Sequence, residues 1–267
     1  MMMELYMRIM MILKKINNNE LLKTEVYRFG FFMLFSLCLI GCETKEITAD
    51  EIVQKSIDAH GGIEAWDKLT HLEFDKTTIL YTQDGTIEKE IVQRQLFLLK
   101  PTLEGSLRSK GLMKNDLYFH GDAFSKVIND SVFMVTEPAE LEVARNTFFA
   151  AHYVVCQPFK LQDKGVILDY IGEELLDAKK VHTLSVSYST DDENSDIWRY
   201  YFDIDTYQLV ANKVDHNGNI SMIQNLEFDS KTSLTFNAHR KSYTLLENDS
   251  TFLRAEYFYK NFNALFE

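Results

Sequence analysis

Cysteine, proline and basic side chains are all in short supply in this 267-residue chain, and each shortage excludes a class of protein. The three cysteines are Cys38, Cys42 and Cys156. The first two fall at the end of an N-terminal apolar run, so Cys156 is the single thiol of the remaining chain and no internal disulfide can form there. Beside Val154 and Val155 it reads as a buried structural thiol rather than a nucleophile. With three prolines and eleven glycines, no Pro-, Gly- or Ser-rich linker divides the chain, which therefore reads as one large domain. Basic residues number 28 against 40 acidic, a net charge of −12. Nucleic acid and anionic lipid surfaces both require a basic footprint, so neither is an expected partner. Also missing are a Gly-x-Ser-x-Gly elbow, a His-Glu-x-x-His pair, a phosphate-cradling glycine loop and a paired-cysteine motif. Seven histidines are scattered singly. The sequence thus nominates no catalytic residue, no metal ligand and no cofactor.

A long hydrophobic run is missing too. The most apolar stretch, Phe29 to Ile40, holds about a dozen residues where a spanning helix needs on the order of 20. It follows basic Lys23 and Arg28 and ends in Leu39-Ile40-Gly41-Cys42, the layout of a secretory signal cleaved before a cysteine. This pattern resembles a bacterial lipoprotein signal. It implies removal of residues 1–41, acylation of Cys42, a short tether over 42–47 and a folded domain over 48–267. Attachment to a membrane would then come from the acyl chains, at roughly 0.8 kcal/mol per buried CH₂, rather than from charge.

Past the tether, Thr48-Ala49-Asp50-Glu51 fits a capping box that starts a helix, with Ile52, Val53 and Ile57 on its apolar side and Gly61-Gly62 as its stop. A second short helix follows over Ile63 to Leu69. From His71 the period becomes strand-like, with Leu72, Phe74, Thr78 and Leu80 on one face. Asp84-Gly85 predicts a hairpin turn and a return strand over Thr86 to Leu99. Shorter strand-like runs follow at 103–110, 116–120, 123–128 and 131–135. Glu137-Pro138 then opens a helix in which Leu141, Ala144, Phe148 and Ala151 recur at helical spacing. Strands resume at 166–176, 181–189, 198–204, 208–215, 220–228, 234–246 and 252–259. The fold class expected is α+β: a large antiparallel sheet of roughly ten to twelve strands with two main helical segments.

Such a sheet buries one face, and if it curls without closing it encloses a cavity under the helices. Strand aromatics are the candidates for lining it: Phe74, Phe97, Phe124, Trp198, Tyr200, Phe202 and Phe236, with Phe133 and Phe258 also on strands. His60 and His152 each sit late in a helix, where imidazole meets the last carbonyls as a cap. The acidic run Asp191 to Asp196 lacks the ligand pattern of a calcium loop and reads as a solvated turn, as do Asn129-Asp130-Ser131 and Asn248-Asp249-Ser250.

The order of parts, together with Ile52 to Trp66 (IVQKSIDAHGGIEAW), Tyr201 to Val210 (YFDIDTYQLV) and Leu253 to Phe262 (LRAEYFYKNF), resembles the LolA/LolB lipoprotein-carrier superfamily, and within it sorting-protein-like envelope lipoproteins of unknown function. The resemblance implies an open half-barrel sheet lidded by helices, with a hydrophobic cavity for acyl chains and no chemistry performed on them. Glu43 after Cys42, in place of the Asp associated with inner-membrane retention, implies a place on the outer membrane facing the periplasm. The expectation is a monomeric, membrane-anchored binder of an acyl chain or other apolar ligand, with a lipid or lipoprotein as cargo. The alternative is a structural lipoprotein with a filled core that binds a protein partner; a hydrolase with dispersed catalytic residues is a third possibility.

Overall fold

The computed structural model describes residues 47–111, 115–190, 195–246 and 250–267. Cys42 and the segment before it, most of the acidic run (191–194) and Asn248-Asp249 lie outside the described residues. Residues 47–267 form one compact unit.

The chain opens with the expected capping box: the Glu51 amide donates to Thr48 Oγ1 at 3.2 Å and the Thr48 amide to Glu51 Oε2 at 3.0 Å, satisfying two of the donors a helix start leaves open. Helix α1 runs Ala49–Ala59 and buries Ile52, Val53, Ser56 and Ile57. Its stop is steric. Gly61 has φ +112°, and a Cβ there would meet the Ser233 carbonyl oxygen at 2.4 Å, so only glycine lets the loop around Ser233 close on the helix end. Helix α2 covers Ile63–Lys68.

Among the described residues thirteen strands follow in one antiparallel sheet: β1 Leu69–Tyr81, β2 Ile87–Leu98, β3 Glu104–Ser109, β4 Asn115–His120, β5 Ala123–Ile128 and β6 Ser131–Met134, then β7 Val166–Leu176, β8 Lys179–Tyr188, β9 Ile197–Asp203, β10 Leu209–His216, β11 Asn219–Asp229, β12 Phe236–Leu245 and β13 Thr251–Phe266. Their spatial order is β6-β5-β4-β3-β2-β1-β13-β12-β11-β10-β9-β8-β7. Every chain-adjacent pair except β6 and β7 is therefore a hairpin neighbour, and the two meanders are joined at the centre by β1 and β13. The outer strands β6 and β7 do not pair, so the sheet stays open. Helix α3, Pro138–Val155, connects them. Its buried stripe is Ala144, Phe148, His152 and Val155, with the sequence's Leu141 and Ala151 at its half-buried margin. A short 3₁₀ turn, Phe159–Gln162, falls where the sequence showed a polar loop, and it buries Phe159 and Leu161.

Strand β13 runs seven residues past its expected end at Tyr259 because a bulge resets its alternation. Lys260 pairs with Asp75 and Asn263 with Glu73, so Asn261 and Phe262 together oppose Phe74, and Asn261 takes φ +58°. An extra residue flips side-chain parity beyond it. Tyr257 and Tyr259 face the core before the bulge, and Phe262, Ala264 and Phe266 after it.

The inner face of the sheet and the helices share a cluster that includes Ile52, Ile57, Leu72, Phe74, Phe97, Phe148, Leu184, Phe202 and Phe236. Each such fully buried side chain contributes roughly 1.5–3 kcal/mol relative to exposure. The outer face is ionic. Arg94 bridges Glu73 at 2.9 Å and Asp75 at 3.1 Å, Lys110 adds a 2.6 Å bridge to Asp75, and Lys241 and His239 meet Glu256 at 3.2 and 3.0 Å. Among the strand aromatics, Phe133 is exposed near the sheet edge and Phe258 stacks on His239 at 4.5 Å. Phe258 has the opposite parity from inward Tyr257 and Tyr259, whereas Phe133 shares the inward parity of Val135 and of its register partner Lys126 but lies on the edge strand β6, all four residues of which are exposed.

Candidate functional site

Helix α3 is held close to the sheet at one point and stands off it at another. The close point is Gly105, where a Cβ would lie 2.1 Å from the Leu96 carbonyl oxygen and 3.2 Å from the Phe148 ring. Phe148 there packs edge-on against Phe97 at 5.4 Å and meets Phe119 at 5.1 Å. Between a neighbouring face of α3 and the centre of the sheet lies a cavity of about 840 Å³, within the ~300–1,000 Å³ typical of small-molecule sites.

The helix wall is formed by Thr147, Phe149, Ala150, Ala151 and Val154. The floor comes from strands on both sides of the β1–β13 seam: Lys76 of β1, Gln93 and Gln95 of β2, Trp198 and Tyr200 of β9, Asn212 of β10, Ile223 of β11, Arg240 of β12, and Tyr257 and Tyr259 of β13. One end is closed by tyrosines. Tyr188 donates to the Tyr153 hydroxyl at 2.7 Å, and Gln157 Nε2 donates to the Tyr200 hydroxyl at 3.0 Å. Burial raises the pKa of Tyr153 and Tyr200 far above the phenol range, so both stay neutral hydrogen-bonding groups.

Of the seven candidate aromatics, Trp198 and Tyr200 lie on the cavity wall. Phe74, Phe97, Phe124, Phe202 and Phe236 are fully buried in the packed cluster, at the opposite end of the same strands or, for Phe124, beneath Phe148 and Phe149. They support the wall from behind. Strand periodicity identifies the inward face but not the point along a strand where packing gives way to space. Lys76 and Arg240 carry a signal of their own, because a charged residue at core-facing parity, two positions from Phe74 or four from Phe236, is out of place in a simple core.

Two further sequence expectations can be placed. His60 caps α1, its Nδ1 lying 2.7 Å from the Ser56 carbonyl oxygen; burial lowers its pKa, so the cap is a neutral donor. His152 is not a cap. It lies against Phe97 at 5.3 Å, its Nε2 has no partner among the described residues, and burial followed by repulsion from Lys160 takes its pKa down to about 4. The position is three residues from the helix end, but it belongs to the buried stripe and points inward. Cys156 is fully buried, and burial pushes its pKa far up, which keeps the thiol protonated and unreactive.

An open antiparallel sheet with helices over its inner face and a cavity between them defines the LolA-type class of fold. Three solved structures share it: a DUF1329 family protein from Desulfovibrio piger (TM-score 0.53, 6% identity, covering 82% of this chain and 94% of that one), a LolA superfamily protein from Nitrosomonas europaea (0.50, 8%, 83% and 95%), and a domain described as an outer-membrane lipoprotein-sorting protein from Vibrio parahaemolyticus (0.50, 10%, 80% and 91%). The chain belongs to DUF6503, a family of unknown function whose model matches residues 28–261. Among curated proteins none matches the sequence.

Proposed function

We propose that this protein is an envelope lipoprotein, anchored through acyl chains on Cys42 after loss of residues 1–41, that binds an acyl chain or another apolar ligand without transforming it. The observation that carries this reading is the cavity between α3 and the sheet. Phe149, Ala150, Ala151 and Val154 give its helix wall an apolar strip, and burying about ten methylenes against it would stabilise a complex by roughly 8 kcal/mol before ordering costs. No helix among the described residues is long and apolar enough to cross a membrane, which is compatible with a lipid anchor. The fold shared with a lipoprotein-sorting domain supports a lipid or lipoprotein as cargo and a bacterial envelope location, with the outer membrane facing the periplasm as the specific site. A single chain suffices for this role.

The test is native mass spectrometry with lipid extraction on the chain from Glu43 to Glu267, which contains the whole compact unit but not Cys42. A co-purifying lipid displaced one-for-one by a fatty-acid probe is the expected result. A protein that arrives bare and takes up neither lipids nor acylated peptides would end the binding reading and redirect attention to protein partners.

A further inference from the structure

Acidic side chains outnumber basic ones by 40 to 28, yet among the described residues none that lines the cavity is an aspartate or glutamate. Two of them are cations. Arg240 is only 3% exposed; its Nε donates to Asn225 Oδ1 at 2.8 Å and its Nη2 to Asn212 Oδ1 at 3.2 Å. Lys76 places its ammonium 5.2 Å from the Tyr257 ring and 5.6 Å from the Tyr259 ring. Among the described residues neither cation has a carboxylate at ion-pair distance. Their chain neighbours show the contrast: Asp75 and Lys241, pointing the other way, both sit in ion pairs on the outer face.

Amide oxygens orient a guanidinium but do not neutralise it, and a buried cation without a counter-charge is costly unless something supplies one. Nε and Nη2 are engaged by the two asparagines and Arg240 also hydrogen-bonds the Tyr259 hydroxyl, while the five N–H donors of the fork leave others of the kind that carboxylate or phosphate oxygens accept from. The positive field is felt locally. Burial acts to raise the Tyr259 pKa, but Lys76 and Arg240 outweigh it and leave the hydroxyl below its ordinary value.

We propose that the cavity selects amphiphiles carrying an anionic carboxylate or phosphate, received by Arg240 and Lys76 on the floor while the hydrocarbon lies against Phe149, Ala150 and Val154 of α3. This rests on the apolar-ligand reading above and adds the class of head group to it.

The test uses the Glu43–Glu267 chain with Trp66→Phe, so that Trp198 on the cavity wall is the reporting indole. Four probes are titrated: dodecanoate, dodecyl phosphate, dodecanol and inorganic phosphate. At least one of the two anionic amphiphiles should bind about tenfold or more tighter than dodecanol, and which one does so distinguishes a carboxylate from a phosphate head group. Arg240→Met, and Asn212→Asp, which gives Arg240 an internal counter-ion, should each bring that ratio close to one. Should Arg240→Met fail to fold, Lys76→Met serves in its place, with a loss of preference of several-fold expected. Equal binding of the anionic amphiphiles and dodecanol in the parent chain overturns the head-group inference and leaves the apolar reading standing. Inorganic phosphate binding as tightly as dodecyl phosphate overturns it in favour of a small-anion site. Silence from all four probes removes both readings.

Discussion

The two ends of the inner-face strands have opposite characters. On β1 the inward residues run Leu72, Phe74, Lys76; on β2, read from the same end, Phe97, Gln95, Gln93; on β9, Phe202, Tyr200, Trp198. On β12, Phe236 at one end gives way to Arg240. Leucine and phenylalanine fill the other half, where Phe97 packs against Phe148 and His152 of α3 and a close-packed interior excludes both ligand and water. Glutamine, asparagine, tyrosine and two cations line the half beneath the C-terminal part of α3. One sheet face thus serves two purposes, with stability concentrated in its packed end and recognition in its hollow one. The lesson is that the unit of function here is a position along the strand, whereas amphipathic patterning reports only the side of it.

The comparison can be broken most forcefully at Phe74. Phe74→Ala removes a fully buried ring that touches Phe97, Tyr259 and Phe262 and should cost about 3–5 kcal/mol in urea denaturation, whereas Ile223→Ala in the hollow half should cost about 1 kcal/mol or less. Equal losses would mean the cavity half is packed as tightly as the other. Gly105→Ala comes next: overpacking against Leu96 and Phe148 should destabilise by about 1–3 kcal/mol and lift α3, and a ligand-affinity change accompanying it would show that the close contact sets the height of the cavity roof.

Acid sharpens the contrast between buried and surface titration. His152, with a folded pKa of about 4 below its unfolded value near 6.5, binds fewer protons folded than unfolded between those values. Its contribution is intact above about pH 6.5 and is lost as pH falls towards 4. His152→Phe should flatten stability across that window. Asp75 on the outer face feels burial, which raises its pKa, and hydrogen bonds from Lys110, Asn261 and Arg94, which prevail and bring it to about 2. Its contribution, smaller because solvent screens it, is present above about pH 4 and fades towards pH 2, and Asp75→Asn should remove that lower slope. The mildest test is optical. The chain has two tryptophans, Trp66 stacked on Phe159 at 4.5 Å in the packed half and Trp198 in the cavity. Ligand should perturb emission in the Trp66→Phe variant and leave that of Trp198→Phe unchanged.

Much of this architecture is legible from residue order. The Thr48 box, Pro138 as the start of a helix and the turn residues between strands each fix a boundary through local chemistry, although the sheet, with thirteen strands among the described residues, exceeds the ten to twelve expected. The extension of β13 is not legible, because Asn261 inserts a residue and the alternation that reveals a strand changes phase there. The 3₁₀ turn at Phe159–Gln162 is too short to show a period. Of the candidate site, Trp198 and Tyr200 can be named from inward parity and size, while Asn212, Ile223 and Tyr257 cannot, since nothing local marks where α3 parts from the sheet. Lys76 and Arg240 lie between: their parity contradicts their charge, and that contradiction is written in the residue order itself.

The pairing of β1 with β13 carries a consequence in time. Leu69 and Phe266 are register partners, so β1 cannot complete its ladder until the whole of β13 has been made. Each meander can assemble from near neighbours alone, which is quick because the loops are short. Until β13 emerges, β1 and β12 both present open edges of the kind that recruit foreign strands. A truncation that removes the end of β13, of the kind a chain terminus ordinarily tolerates, would here strike the middle of the sheet.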